Sequence, residues 1–203
     1  MRMKRIFIII ITALVALLAI AQTPSAMLDK CVAAINAGGG VTANYSITSP
    51  QGTSKGNIAM QGSKFRIISQ EAKCWYDGKN QWSWSPLTEE VNITSPTPDE
   101  LQMTNPIAAA QHFKANFKMK KAKAQTANTY VIKLTPKKKD NIKTLWLYFD
   151  EHTSLLRTAR FEMNDKSVYT VKITGYKHKS LSASTFTFDK SLVPAGTQVV
   201  DLR

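Results

Sequence analysis

Chemistry-bearing side chains are scarce in this chain of 203 residues, which holds two cysteines and three histidines. Cys31 and Cys74 lie too far apart for a CxxC redox pair, and no His/Cys spacing matches a zinc site. His112, His152 and His178 fall on different segments, and there is no GxSxG elbow, HExxH or glycine-rich phosphate loop. A hydrolase would need a triad scattered through the chain, so no catalytic residue, cofactor or metal is expected. Asp77-Gly78 and Asp150-Glu151 read as turns. Repeats, low-complexity tracts and long linkers are also missing, which leaves one domain.

Acidic residues are few as well: 14, against 27 lysines and arginines. Three of those basic residues, Arg2, Lys4 and Arg5, precede an apolar stretch over 6–19 that is too short and too early for a membrane span of about 20 residues. Ala19-Ile20-Ala21 supplies the small residues of a cleavage site. A secretory signal over 1–21 is therefore expected, followed by a single domain over 22–203. The residue after the cut is Gln22, not the cysteine that a lipid-anchored precursor needs, so the mature chain should be soluble in an exported compartment. Its charge falls from +13 to 24 − 14 = +10. An exported basic chain rarely meets nucleic acid, so the charge favours anionic lipid head groups, an acidic partner or solubility. In that oxidising setting Cys31 and Cys74 could form a disulfide tying a helix to the sheet, or stay as two buried thiols.

What the chain has in quantity is period-two alternation. Thr23 and Pro24 open a helical segment with Leu28, Cys31, Val32 and Ile35 at helix spacing, and Gly38-Gly39-Gly40 ends it. Strands with one apolar side then follow around Tyr45, Ile58, Phe65, Tyr76, Trp82 and Val91. Thr97-Pro98-Asp99-Glu100 has capping-box spacing, and Asn105-Pro106 starts another helical piece through Phe113. The alternation resumes around Phe117, Tyr130, the run 145–149, Phe161 and Val171, with short polar turns that favour sequential antiparallel pairing. The expected fold is mainly β with some α: a curved, open antiparallel half-barrel of roughly ten strands, its concave face lidded by about three helices.

Several pieces resemble the periplasmic outer-membrane lipoprotein carrier family of LolA type. They are the helix after the signal, the strand pair over 56–67, the hairpin Tyr76-Asp77-Gly78-Lys79-Asn80-Gln81-Trp82 and Asn105-Pro106 opening a lid helix. Leu134-Thr135-Pro136-Lys137 and the closing Phe186-Thr187-Phe188 with Pro194-Ala195-Gly196-Thr197-Gln198-Val199 complete the set. The resemblance runs through essentially the whole mature chain. It implies a cavity holding the acyl chains of lipoproteins in transit from inner to outer membrane, received from an inner-membrane transporter and passed to an outer-membrane acceptor. In the family an arginine helps to hold the lid shut. Gly62-Ser63 stands at that position here, with Arg66 beyond Phe65, so that role is not carried over.

Exposing a sixteen-carbon chain to water costs on the order of 12 kcal/mol at about 0.8 kcal/mol per methylene. A carrier must offset most of this with adaptable apolar groups. The lining expected from the inward positions is Met60, Phe65, Ile67, Trp82, Trp84, Tyr130, Ile132, Phe161, Val171 and Ile173. The lid is expected to contribute Leu28, Val32, Ile35, Ile107 and Phe113. A monomer with transient membrane-surface contact fits this reading. An envelope sensor of lipid or lipopeptide on the same half-barrel is the alternative, and it usually arrives with a second domain or an anchor.

Overall fold

Thr23 caps the first helix as its sequence suggests: the hydroxyl accepts from the Ala26 amide at 3.1 Å, with Pro24 in the first turn. The computed structural model describes residues 23–203, so the signal expected over 1–21 and the new terminus Gln22 lie outside the described residues. Helix α1 (Pro24–Asn36) buries Met27, Leu28, Cys31 and Ile35, and Gly38 turns the chain out of it at φ +69°.

Six strands follow: β1 (Val41–Ser49), β2 (Gly52–Gln61), β3 (Lys64–Ser69), β4 (Lys73–Tyr76), β5 (Gln81–Trp84) and β6 (Glu90–Thr94). Two helices then interrupt the sheet, α2 (Pro98–Thr104) and α3 (Pro106–Asn116). The first carries the reciprocal Thr97/Glu100 capping box, and in the second the Asn105 carboxamide accepts from the amides of Ile107 and Ala108. The remaining strands are β7 (Phe117–Ala122), β8 (Thr129–Pro136), β9 (Ile142–Asp150), β10 (Leu156–Met163), β11 (Val168–His178) and β12 (Gln198–Asp201).

All twelve strands form one open sheet in the order β12-β6-β5-β4-β3-β2-β1-β11-β10-β9-β8-β7. It is a curved half-barrel with helices on one face. Every pairing is antiparallel except the last, β12 beside β6. Alternation announces the strands up to β11 but not β12. That strand arrives after residues 179–197 have crossed the back of the sheet, where the turn Ala183–Phe186 packs on β3 and Phe188 stands edge-on to Trp75 at 5.4 Å.

The sheet thus has two dry faces of unequal extent. The helix-covered face carries one continuous core that runs from Ile58, Met60, Phe65 and Tyr76 to Ile132, Leu134, Leu145 and Phe149, with Leu28, Cys31 and Ile35 from α1. On the outer face, Ala59, Trp75, Val91 and Phe186 are almost wholly buried around the returning C-terminal segment.

Candidate functional site

Register decides which side chains look toward the helices. Met60 pairs with Phe65, Ile58 with Ile67, Phe65 with Tyr76 and Ile67 with Cys74, so these six share the helix-covered face. On the other half, Tyr45 pairs with Ile173, Ile47 with Val171, Ala159 with Val171 and Leu147, Phe161 with Leu145, and Tyr130 and Ile132 with Phe149 and Leu147. Met60, Phe65, Ile67, Tyr130, Ile132, Phe161, Val171 and Ile173 therefore belong to one surface and one apolar cluster, joined by Leu28, Ile35, Ile107 and Phe113 from the helices.

Trp82 and Trp84 do not join them. Tyr76 pairs with Gln81 across a four-residue loop, which gives the helix-covered side to Gln81 and Ser83 and turns both tryptophans outward. There Trp82 pairs with Trp75, and Trp84 lies under the Lys73 ammonium, 3.8 Å from the ring centroid. Both stand on the outer face, Trp84 buried and Trp82 half-buried, and neither lines the cavity.

Between α1, α3 and the sheet lies an apolar cavity of about 80 Å³. Leu28, Val32 and Ile35 line it from α1, Phe113 and Ala110 from α3, and Met60 and Ile173 from the sheet. Ile58, Leu147, Phe149, Leu156 and Tyr176 line it too, and inward alternation in the run 145–149 was the signal that could have marked Leu147 and Phe149. Its thiol is Cys31. Burial pushes Cys31 up from the usual 9.0 to about 11 and Cys74 to about 12. The two thiols are free, so of the alternatives left open by the sequence the structure holds the unbonded pair.

The helices reach the sheet through a few polar links as well as through this grease. Asn105 Nδ2 donates to the Ser63 carbonyl at 2.8 Å, and the Gly62 amide donates to Asn36 Oδ1 at 3.1 Å. Lys114 of α3 also pairs with Asp29 of α1 at 2.6 Å. Both hairpin links land on Gly62-Ser63, in the turn between β2 and β3.

On the outer face, a cross-strand row runs Lys120, Lys133, Trp146, Arg160 through β7 to β10. Lys133 Nζ lies 5.7 Å and the Arg160 guanidinium carbon 5.0 Å from the Trp146 ring centroid. Lys118 on β7, Lys55 on β2 and Lys172 on β11 share this side of the sheet, as does Glu162 on β10. The histidines stay apart, on α3, in the β9–β10 turn and at the end of β11. Among the described residues no three His, Cys, Asp or Glu side chains converge to hold a metal, and no helix is long and apolar enough to cross a membrane.

A family model described as "Outer membrane lipoprotein carrier protein LolA" matches residues 17–165. No curated protein matches the sequence. Among solved structures, an uncharacterized conserved protein from Thermus thermophilus superposes with a TM-score of 0.59 at 11% identity, covering 86% of this chain and 96% of that one. A putative outer membrane lipoprotein-sorting protein domain from Vibrio parahaemolyticus gives 0.45 at 8% identity, over 80% and 95%. The MucA/MucB complex of Pseudomonas aeruginosa gives 0.48 at 10% identity, over 84% of this chain and 62% of that one. The first of these likenesses concerns the fold alone.

Proposed function

The chain belongs to the outer membrane lipoprotein carrier protein LolA family, and from that premise we propose that it carries the acyl chains of lipoproteins between the inner and outer membranes of the periplasm. The observation that carries this reading is an apolar sheet face roofed by helices over a cavity of about 80 Å³. Pockets that enclose drug-sized ligands run to roughly 300–1,000 Å³, so the closed form stores no chain and the site opens when α1 and α3 lift. Closed, the helices screen the same surface from water. Open, they expose it to hydrocarbon, and the transfer energy of the guest, about 0.8 kcal/mol per methylene, offsets the lost packing.

Met60, Phe65, Ile67, Tyr130, Ile132, Phe161, Val171 and Ile173 form the hydrocarbon-facing wall in this reading, and Leu28, Val32, Ile35, Ile107 and Phe113 the movable roof. Non-directional contacts suit cargo of varied acyl composition. Carriage requires neither a covalent step nor a cofactor. Cargo comes from an inner-membrane transporter and passes to an outer-membrane acceptor, and the basic outer face meets the anionic leaflet while the cavity loads.

The test is native mass spectrometry of protein purified from an envelope extract, paired with release of lipoprotein from inner-membrane vesicles. Acylated adducts and release are expected. A chain with neither would not be a carrier, and adducts without release would point to a sensor.

A further inference from the structure

Strands β10 and β11 part company at one end of their ladder. Their pairing runs from Glu162/Val168 to Thr158/Lys172 and stops there, whereas β11 continues to His178 against β1. Each strand carries an irregularity at this point. Arg157 is an extra residue between Leu156 and Thr158 in the β9 pairing, and Gly175-Tyr176 bulges opposite Ala43, with Gly175 at φ +65°. The wedge between the strands is a cleft of about 630 Å³.

This cleft and the cavity beneath the helices share two lining residues, Ile173 and Tyr176. Leu155 faces the cleft and its neighbour Leu156 the cavity, so a single layer of side chains separates the two spaces. Tyr176 spans the gap, its hydroxyl donating to the Leu156 carbonyl at 2.8 Å. The outer lip is rich in donors: the Lys172 ammonium, the Thr158 and Thr174 hydroxyls, and Arg157, which is paired with Asp150.

Resting on the carrier reading, we propose that this wedge is a side port through which a hydrocarbon chain slides into the cavity, with Tyr176 as its bar. The lip then seats the ester and amide carbonyls at the head of an acylated amphipath, acceptors that match its donors. Breaking one hydroxyl–carbonyl bond and turning one ring joins the two spaces. The backbone of β1 and β11 stays paired throughout.

Stopped-flow binding of fluorescent palmitate to the delipidated protein tests this. Tyr176→Phe removes the bar's hydrogen bond and should raise the association and dissociation rates together by about five-fold. Thr174→Trp places an indole on the lip and should slow both by about ten-fold or more. A change in dissociation alone would make Tyr176 an ordinary lining residue and overturn the port. So would rates unmoved in both variants while palmitate still binds, which would leave the carrier reading standing. Absence of binding to the unaltered protein would sink both.

Discussion

Asn105 and Ser63 are 42 positions apart in the chain, yet the carboxamide of one donates to the carbonyl of the other at 2.8 Å. The same carboxamide oxygen caps α3. One side chain thus starts the roof helix and holds it to the β2–β3 turn.

Replacing it should loosen the roof without melting the wall. Asn105→Ala removes an N-cap, worth about 1 kcal/mol, together with the link to Ser63. Hydrogen exchange should show protection over 106–116 falling by about ten-fold or more, with β8 and β9 unchanged. Equal loss in the strands would mean that the helix and sheet open only as a unit.

The two faces of the sheet should respond differently to charge. Phe65→Glu puts a carboxylate in the helix-covered core, where Phe65 packs on Tyr76 with ring centroids 5.4 Å apart, and should abolish lipoprotein release. Trp82→Glu alters the outer face and should keep release per folded molecule within about two-fold. Loss of release in folded Trp82→Glu would return that residue to the cavity.

Much of this was legible because alternation survives in strands of ordinary length, and capping residues such as Thr23, Thr97 and Asn105 carry their own local chemistry. Alternation states which residues share a face but not which face it is. Trp82 and Trp84 looked inward by aromatic content, and the register set by Asp77-Gly78-Lys79-Asn80 turned them out: Asp77 Oδ1 accepts from the amides of Lys79 and Asn80, and Tyr76 pairs with Gln81. The segment over 179–197, which covers their neighbour Trp75 through Phe188, has no periodic signal, and β12 is four residues long. No periodic signal marks Tyr176, because a bulge shifts it out of the alternation.

The buried thiols make stability depend on alkaline pH. Both stay protonated in the folded chain well above the usual 9.0, whereas an unfolded thiol ionises near that value. Their contribution is therefore complete below about pH 9 and drains away as pH climbs toward 11 and 12, since the unfolded chain releases protons that the folded one keeps. At pH 10 the loss should be on the order of 1 kcal/mol per thiol. Urea melts at pH 7 and pH 10, compared with those of the Cys31→Ala/Cys74→Ala protein, measure it. An identical pH response in both proteins would refute the assignment.

The basic outer row predicts adhesion to negative bilayers. Each cation near such a surface is worth about 1 kcal/mol, so Lys133→Glu combined with Arg160→Glu should weaken sedimentation with phosphatidylglycerol vesicles by roughly thirty-fold or more. Added salt should do the same. Equal binding to phosphatidylcholine vesicles, or indifference to the double reversal, would remove the membrane as this face's partner.

The middle of the sheet is a seam between β1 (Val41–Ser49) and β11 (Val168–His178), and its far edge is closed by β12 (Gln198–Asp201). The first cannot form until β11 has been delivered, and the second waits for β12, close to the last residue. Vectorial synthesis therefore lets β2 to β5 find both neighbours as they emerge but leaves β1 without β11 and β6 without β12 until late, and loop-closure entropy over such spans makes the final zippering slow. The two halves of the sheet can each grow as local meanders, and the whole takes its final shape only when the late strands bridge and cap them.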